Sequence, residues 1–503
     1  MSTLLALSPF FVVGIGALLL MLAEAFSRQA PKGEPQADHG LAVGAALVLF
    51  TGGAFAGGLW MFGVDHLDVS GAAPWLLIDR FSFFFDMVIC LGAGLAALVA
   101  GGYLPEHRLD RGEFYALLLF ATFGAMMLAA AGDALTLFLG LETMSIGAYA
   151  MTAFRRTSPR ATEGALKYFL LGSFAAALLI YGFALIYGAT GHTDLVGIGE
   201  AARTPAGHSP LLIIGAVLVL VGMAFKVSAV PFHAWTPDAY EGAPTPATTF
   251  MAVAVKTGGF AMFLRVLLVA LGDPKWTSWA AGWPPIVAAL AAVTMTFANL
   301  VAGRQESVKR MLAYSSIAHA GYLLLGITAI MRMSSEAVAS ILFYLLVYTV
   351  STAGAFGALA ICGSRDREAV SYEDLAGLGR RHPATALAFS FFLLSLAGIP
   401  PTAGFFGKWF LFKAGIESGL YWLVILALIN SVIGSYYYLR VLIYMYMREP
   451  AAGAPVAIPM RSGYITAALI LSAVLVLVLG LTPSAYLDAA ITAAAYAASG
   501  SGG

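Results

Sequence analysis

The chain has 503 residues, of which 60% are hydrophobic and only 11% are charged, and its net charge is zero. A soluble domain carries about 25% charged and about 45–50% apolar residues, so this composition predicts an integral membrane protein. The neutral charge balance argues against nucleic acid as a partner. Cys90 and Cys362 lie far apart in apolar runs, a pattern that predicts neither a disulfide nor a metal site.

Apolar runs long enough to cross a bilayer predict an all-α membrane protein with about fourteen spans. The first run has no basic leader and no cleavage site, so we interpret it as a retained span. Only Gly132 and Asp133 separate spans four and five, and an amphipathic tail is expected from Pro483 to about Ala498. The predicted spans are 3–26, 39–63, 78–102, 114–131, 133–154, 163–188, 210–235, 245–271, 280–302, 311–331, 335–362, 384–414, 419–447 and 461–482.

Arginines and lysines concentrate in alternate loops. The positive-inside rule makes the basic loops cytoplasmic, so both termini are predicted on the periplasmic side of the membrane. The opposite loops hold only Arg203, Lys275 and Arg332. The basic set comprises Arg28, Lys32, Arg108, Arg111, Arg155, Arg156, Arg160, Arg304, Lys309, Arg310, Arg365, Arg367, Arg380, Arg381, Arg448 and Arg461.

Spans seven and twelve each contain a proline break close to a lysine. Pro231 leaves the carbonyl of Val227 without a helical partner, shortly after Lys226, and Pro400–Pro401 stand shortly before Lys408. A buried charge beside a broken helix is typical of transport proteins. The breaks are five spans apart, which predicts two inverted five-helix repeats, spans 4–8 and 9–13. The expected segments are 1–110 (three helices), 111–272 (first repeat), 273–448 (second repeat) and 449–503 (last span and tail).

Four ionisable residues fall at membrane depth: Glu142, Lys226, Lys256 and Lys408. Such groups are costly in lipid, which favours a proton relay, although they could instead be charges that are satisfied inside the bundle and only hold the packing together. A lone carboxylate at this depth would stay protonated, whereas one beside an ammonium can ionise.

Other polar residues are candidates for supporting roles, and several have two possible roles. His319, with Ser315, Ser316 and Tyr322 nearby, suits a relay or a packing role equally, and so does His233, which is expected to face the same side of a helix as Lys226. Lys167 could form an ordinary ion pair with Glu163. Asp238 and Glu241 are interpreted as helix caps and turn residues, with acidic residues at a proton entry as the alternative. Arg265, in the outer third of its span, is given no role.

The sequence contains no nucleotide, haem, flavin or iron–sulfur motif. Any electron transfer would therefore take place in other subunits.

Five blocks of the sequence resemble the antiporter-like membrane subunits of respiratory complex I, the proton-translocating NADH–quinone oxidoreductase. The blocks are FLGLETMSIGAYAM, EGALKYFLLGSFAAALLIYG, AFKVSAVPFHAWTPDAYEGAPTP, VKRMLAYSSIAHAGYLL and LSLAGIPPTAGFFGKW, and together they span roughly residues 110 to 445.

This resemblance implies fourteen helices, broken helices seven and twelve, and a polar axis through the membrane. In that axis Glu142 and Lys226 would be the coupled pair, Lys256 the bridge and Lys408 the terminal proton site, with His233, His319 and Lys167 in support. One sister subunit has a glutamate where Lys408 stands, and another continues into a long lateral helix that we do not expect here.

The resemblance also implies a bacterial inner-membrane location and membrane partners from the same complex, namely neighbouring antiporter-like and small core subunits, together with lipid. NADH, FMN, iron–sulfur clusters and quinone would be bound by partner subunits and none by this chain. The alternatives are a subunit of a sodium/proton antiporter, of a membrane-bound hydrogenase or of a ferredoxin-fed photosynthetic complex with the same fold. A purely structural membrane scaffold is a further alternative.

Overall fold

A computed structural model describes residues 2–26, 39–63, 70–109, 111–332, 335–363, 367–450 and 456–497. Within these ranges the chain is helical, and its only β contacts are three isolated bridges. Arg28, Lys32 and Arg365, which contribute to the predicted orientation, lie outside the described residues, as does Ala498 at the predicted end of the tail.

Seventeen longer helices account for most of the described chain. They are α1 (Ser8–Phe26), α2 (His39–Phe62), α3 (Arg80–Glu106), α4 (Glu113–Ala130), α5 (Ala134–Thr152), α6 (Pro159–Thr190), α7 (Pro210–Lys226), α8 (Trp235–Gly242), α9 (Thr245–Ala270), α10 (Pro284–Ala302), α11 (Val308–Ala329), α12 (Ser335–Ile361), α13 (Pro383–Ala397), α14 (Ala403–Glu417), α15 (Tyr421–Met447), α16 (Gly463–Leu481) and α17 (Pro483–Ala495). Short helices cover Ser2–Ala6, Leu195–Ala202, Tyr372–Leu375 and Leu378–Arg381.

Among the described residues, twelve helices are long and apolar enough to cross a membrane. Two shorter apolar helices, α7 and α13, occupy the places of predicted spans seven and twelve. The all-α membrane fold is therefore confirmed, while the count of fourteen spans and the inverted repeats stay predictions. The weakest predicted boundary is also confirmed: α4 ends at Ala130, and Asp133 caps α5 by accepting from the Leu135 amide at 2.7 Å.

The break in predicted span seven starts immediately after Lys226. Residues 227–234 form turns, Ser228 has a left-handed φ of 64°, and helix resumes only at Trp235. The expectation that Lys226 and His233 share one helical face is therefore wrong, because no continuous helix joins them. Span twelve breaks in the same manner: α13 ends at Ala397, and Gly398 adopts a φ of +87°.

Helix α9 contains two π-helical turns, Met251–Val255 and Val266–Ala270, on either side of a regular α segment, Lys256–Arg265. Single π turns inside α-helices are frequent at functional sites. In the most apolar stretch of α9, 94% of residues are buried, against 28% in α1. The lysine of α9 is thus enclosed by protein on all sides and is shielded from lipid.

A largely buried ion pair joins several segments near one end of the helices. Lys309 donates to both carboxylate oxygens of Glu368, at 3.1 and 3.2 Å, and Thr245 and Tyr103 also donate to this carboxylate. Burial alone would raise the pKa of Glu368, but Lys309 and these hydrogen bonds lower it to about 2. The carboxylate thereby ties α3, the start of α9 and the start of α11 to the loop after α12. Arg155 extends the cluster by donating to the Tyr103 hydroxyl at 3.2 Å.

Candidate functional site

Lys226 is the last residue of α7 and is almost completely buried, with 3% of its surface exposed. Its ammonium donates to the Ser145 hydroxyl on α5 at 2.7 Å and lies 5.7 Å from the centre of the Tyr168 ring. The helix break sets this position, because α7 stops where the chain must turn into residues 227–234. Lys226 is therefore held by one neutral hydroxyl and one aromatic face.

Glu142 lies on α5, three residues before Ser145, and lines the same small cavity as Ser145 and Lys226. The structure thus brings the predicted pair to one cavity. Among the described ion pairs, however, Lys226 has no carboxylate within 4.0 Å, and the buried Oε1 of Glu142 has no hydrogen-bond partner there. Ser145 is the direct hydrogen-bond partner of the lysine.

Lys256 follows the first π turn of α9 and is 2% exposed. Its ammonium donates to the hydroxyl and to the carbonyl of Ser316 on α11, at 2.5 and 2.6 Å. The Tyr348 hydroxyl donates to the same serine at 2.8 Å, and the Tyr348 ring centre lies 5.7 Å from the ammonium. Lys256 is therefore anchored to α11 and α12.

His319 lies one turn beyond Ser315 and Ser316 on α11 and is buried. Its Nδ1 is 2.6 Å from the Tyr344 hydroxyl, and its Nε2 is 3.1 Å from the Tyr438 hydroxyl. A hydroxyl can donate or accept, so either neutral tautomer of the imidazole is satisfied. The Tyr438 hydroxyl is also bonded to Ser315. This arrangement meets the geometric requirement for a proton shuttle.

Lys408 lies on α14 and is 7% exposed. Its ammonium donates to the Ala397 carbonyl at 2.8 Å and to the Ser431 hydroxyl at 3.0 Å. Ala397 is the last residue of α13, so its carbonyl has lost its helical partner to the break, as the two prolines predict. The broken helix thus supplies a bare carbonyl as acceptor for the buried ammonium.

Lys256, His319 and Lys408 form one connected series inside the protein. Lys256 and His319 share a neighbour in Tyr348, whose ring centre lies 5.2 Å from that of His319. His319 and Lys408 share Tyr322, with a ring separation of 5.8 Å on one side and an ammonium-to-ring distance of 5.5 Å on the other. The segment from Lys256 to Lys408 is therefore continuous through side-chain contacts.

Lys167 lies apart from this series, at the start of α6. Its ammonium pairs with Glu163 at 2.5 Å and with Asp238 at 2.7 Å, and Arg310 also donates to Asp238 at 2.7 Å. Burial alone would raise the pKa of Asp238, but the hydrogen bonds from Lys167 and Arg310 hold it below its ordinary value. The ion pair with Glu163 is confirmed.

The interpretation of Asp238 and Glu241 as caps is wrong. Helix α8 has no side-chain cap, and both residues are engaged by other elements: Asp238 by Lys167 and Arg310, and Glu241 by the Ser307 hydroxyl at 2.9 Å. Together with Glu163 and Arg310 they line a cavity of about 440 Å³ that opens to the surface.

His233 lies in the turn region after α7, half-buried and packed edge-on against Phe297 at 4.9 Å. It does not line the Glu142–Lys226 cavity. Of the supporting members, the structure therefore places His319 in the connected series and leaves Lys167 and His233 outside it.

The direct partners of the lysines and of His319 include several residues that the sequence analysis misses, namely Ser145, Tyr168, Tyr344, Tyr348, Ser431 and Tyr438. Helical spacing from Glu142 would have found Ser145, since residues three apart lie on one face. The others come from helices distant in sequence, and no local signal marks them. Among the described residues, no group of three or more His, Cys, Asp or Glu could hold a metal ion.

Comparison with known proteins places the chain among respiratory membrane subunits. Residues 131–434 match the family described as NADH:quinone oxidoreductase/Mrp antiporter, TM. NADH-quinone oxidoreductase subunit N 1 of Sorangium cellulosum is 66% identical over 499 residues, covering 97% of this chain and 98% of the relative. The corresponding subunit N of Myxococcus xanthus is 40% identical, covering 96% of each chain.

Solved structures agree on the fold. A chain of respiratory complex I from Thermus thermophilus with bound aureothin superposes with a TM-score of 0.76 at 35% identity, covering 95% of this chain and 98% of that one. A chain of the Mrp complex from Dietzia superposes with a TM-score of 0.84 at 22% identity, covering 99% and 98%, which shows the fold alone. This protein therefore belongs to the NADH:quinone oxidoreductase/Mrp antiporter membrane family, within the group of NADH-quinone oxidoreductase N subunits.

Proposed function

We propose that this chain is a proton-translocating membrane subunit of a bacterial NADH-quinone oxidoreductase, and that Glu142, Lys226, Lys256, His319 and Lys408 form its proton relay. Electron transfer from NADH through FMN and iron–sulfur clusters to quinone takes place in partner subunits. This chain supplies the membrane path for the protons, in contact with the neighbouring membrane subunits of the complex. It lies in the inner membrane with both termini on the periplasmic side.

One observation carries the proposal: Lys226, Lys256 and Lys408 are buried ammonium groups held by hydroxyls, carbonyls and aromatic rings, with no carboxylate within 4.0 Å among the described ion pairs. A structural charge in a membrane protein is normally neutralised by a close opposite charge, whereas a group that must gain and lose a proton needs partners that tolerate both states. Hydroxyls do so, because they donate to the free amine and accept from the ammonium.

In the relay, Glu142 and Lys226 control entry. When the carboxylate approaches Lys226 across their shared cavity, the ammonium form is stabilised; when it withdraws, Lys226 releases its proton. The proton then passes to Lys256, through the Ser316–Tyr348–His319 group, and on to Lys408. Changes in the redox subunits would act by moving α5 against α7, since these helices carry the first pair.

The test is to replace Lys226, and separately Glu142, with alanine in the whole complex, and to measure NADH-driven proton pumping in inverted membrane vesicles beside the NADH–quinone turnover. Both variants are expected to assemble and to lose coupled pumping. Lys413→Ala is the matched control, because Lys413 lies on α14 in an exposed pair with Glu417. Normal pumping by fully assembled Lys226→Ala complexes would reject the relay and favour a structural scaffold.

A further inference from the structure

A second group of buried charges lies away from the relay, between α3, α4 and α9. Arg265 on α9 has a side chain with 0% exposure, and Asp86 on α3 is also fully buried. Asp79, the N-cap of α3, completes the group. Arg265 lies nine residues after Lys256 on a regular α segment, so it points to the opposite face of α9. None of these three residues belongs to the series described above.

Arg265 is fixed by three contacts. Its Nε donates to the Ala129 carbonyl at the end of α4 at 2.8 Å, and its Nη2 donates to the Leu77 carbonyl and to the Asp79 carboxylate at 3.3 and 2.7 Å. The Asp79 oxygen that accepts this bond also caps α3 through the Ser82 amide at 2.7 Å. Asp79 is therefore already the ionised partner of Arg265.

Asp86 is the third ionisable group of the cluster, and unlike Asp79 it forms no ion pair or hydrogen bond among the described residues. Both of its carboxyl oxygens, the Nη1 of Arg265 and the Oδ2 of Asp79 are buried and have no hydrogen-bond partner among the described residues. Asp86 nonetheless interacts electrostatically with Asp79 and Arg265. One guanidinium and one carboxylate already balance, so a second carboxylate would be an uncompensated buried charge. Asp86 is thus held in its neutral, protonated form.

We propose that Asp86, Arg265 and Asp79 form a second proton site, in which the guanidinium exchanges its two carboxyl partners. When Arg265 pairs with Asp79, Asp86 carries the proton. When the guanidinium turns its Nη1 to Asp86, the O–H bond of Asp86 breaks as its proton passes to a water molecule, and an O–H bond forms on Asp79 as a second water molecule, hydrogen-bonded to the first, gives up a proton; the guanidinium itself stays protonated throughout. The net charge of the group is unchanged, and one proton moves from Asp86 to Asp79.

The geometry gives this transfer a direction. Asp79 stands at the start of α3 and Asp86 is seven residues further along, which is about 10 Å at 1.5 Å per residue. Each exchange therefore carries a proton towards the end of α3 that the loop charges place on the periplasmic side. The Cys90 thiol lies one turn from Asp86 and interacts with it electrostatically, but the hydrogen bond that this thiol makes among the described residues goes to the Met126 sulfur at 3.9 Å.

The inference rests on the proposed function of the chain, since a proton site matters here only if protons cross the subunit. The decisive variant is Asp86→Asn in the whole complex, because asparagine copies the shape and neutrality of a protonated aspartic acid but carries no exchangeable acid proton. Coupled proton pumping is expected to fall about a hundredfold or more, since a positioned proton-transfer group typically contributes about 10²–10⁴-fold, with assembly intact. Pumping equal to wild type would overturn the proposal.

Infrared difference spectroscopy of the same complexes supplies an independent readout. A band from a protonated carboxylic acid is expected in the wild type and should be missing in Asp86→Asn; an unchanged band would overturn the assignment of the proton to Asp86. Asp133→Asn is the matched control, because Asp133 is equally buried but caps α5 and binds Thr193 at 2.6 Å. Asparagine caps helices as well as aspartate does. A failure of the Glu142–Lys226 relay would leave the Asp86 band in place, so the two proposals fail separately.

Discussion

The Lys256 ammonium is bound twice by one residue: Ser316 offers its hydroxyl at 2.5 Å and its backbone carbonyl at 2.6 Å. A helical carbonyl normally belongs to the hydrogen-bond ladder of its own helix, so the lysine draws on the backbone of α11 as well as on a side chain. The position of the ammonium is consequently coupled to α11, on which His319 lies one turn further on.

Ser316→Ala removes the hydroxyl and leaves the carbonyl. A buried ammonium that loses one partner is destabilised by about 1–3 kcal/mol, so Lys256 should hold its proton less well and coupled pumping should fall about tenfold. Vesicle pumping assays at fixed pH measure this. Ser316→Thr keeps a hydroxyl at the same atom and should retain most activity; equal losses in both variants would show that packing at Ser316, and not its hydroxyl, is responsible.

Tyr344→Phe and Tyr438→Phe each remove one hydroxyl from His319. If the imidazole passes protons between its two nitrogens, either single variant should lower coupled turnover. The double variant should lower turnover little further, because the loss of one hydroxyl already interrupts the path. Turnover and pumping in the assembled complex provide the measurement. Additive and independent losses would contradict a serial path through His319.

Gly398→Ala tests the position of Lys408. Gly398 has a left-handed φ of +87°, and an added Cβ would lie 3.0 Å from the Lys408 Cδ and 3.3 Å from its Nζ. We expect a loss of pumping as well as a backbone cost of about 1–2 kcal/mol.

Gly419→Ala separates the two effects. Gly419 has nearly the same φ, +78°, but its added Cβ would meet no atom within 4 Å. This variant should therefore lose thermal stability to a similar extent while its pumping per assembled complex stays normal. If both alanine variants pump equally well, contact with the lysine stem is unimportant.

Glu368→Gln tests the buried pair with Lys309. The pKa of Glu368 is lowered from an ordinary 4.5 to about 2, so its stabilising contribution is fully present above about pH 4.5 and is lost as the pH falls towards 2. Breaking a buried pair costs about 3 kcal/mol, so the variant should melt at a lower temperature than the wild type at neutral pH. The difference in melting temperature between the two should narrow only below about pH 4.5.

The control for this pair is Glu417→Gln, which removes an exposed partner of Lys413 and should change the melting temperature little. Thermal unfolding of the solubilised complex is followed between about pH 3 and pH 8, an interval that includes the upper part of the pH range in which the Glu368 contribution is lost. A difference between Glu368→Gln and wild type that persists unchanged at pH 3 would contradict the assigned pKa.

Much of the fold could be predicted because the bilayer imposes a simple rule on sequence. Long apolar runs predicted most helices to within a few residues, and the pair Gly132–Asp133 was enough to separate α4 from α5. The breaks were predictable at Pro231 and Pro400–Pro401, since a missing N–H acts locally. Their extent was not: eight residues after Lys226 leave the helix, which separates His233 from the face it was expected to share.

The candidate site, too, could be predicted only in part from the sequence. Glu142, Lys226, Lys256 and Lys408 are visible from the sequence because a charge in an apolar run stands out by itself. Their partners are serines, tyrosines and carbonyls, residue types that are ordinary in membrane helices and are recruited from other spans. Asp86 was overlooked although its side chain is ionisable, and Arg265 was discounted as lying near the end of its span; only the packing of α3 against α9 shows that both are enclosed.

The two π turns of α9 give this helix a mechanical property that a uniform α-helix lacks. Each turn holds one more residue than an α turn, so moving that extra residue from one turn to the other would rotate the helix between them by about 100° around its axis. The ten residues between the turns can thus rotate while both ends stay anchored. Lys256 and Arg265 point from opposite faces of this segment, so a single rotation would reorient the relay lysine and the arginine of the second proton site at the same time.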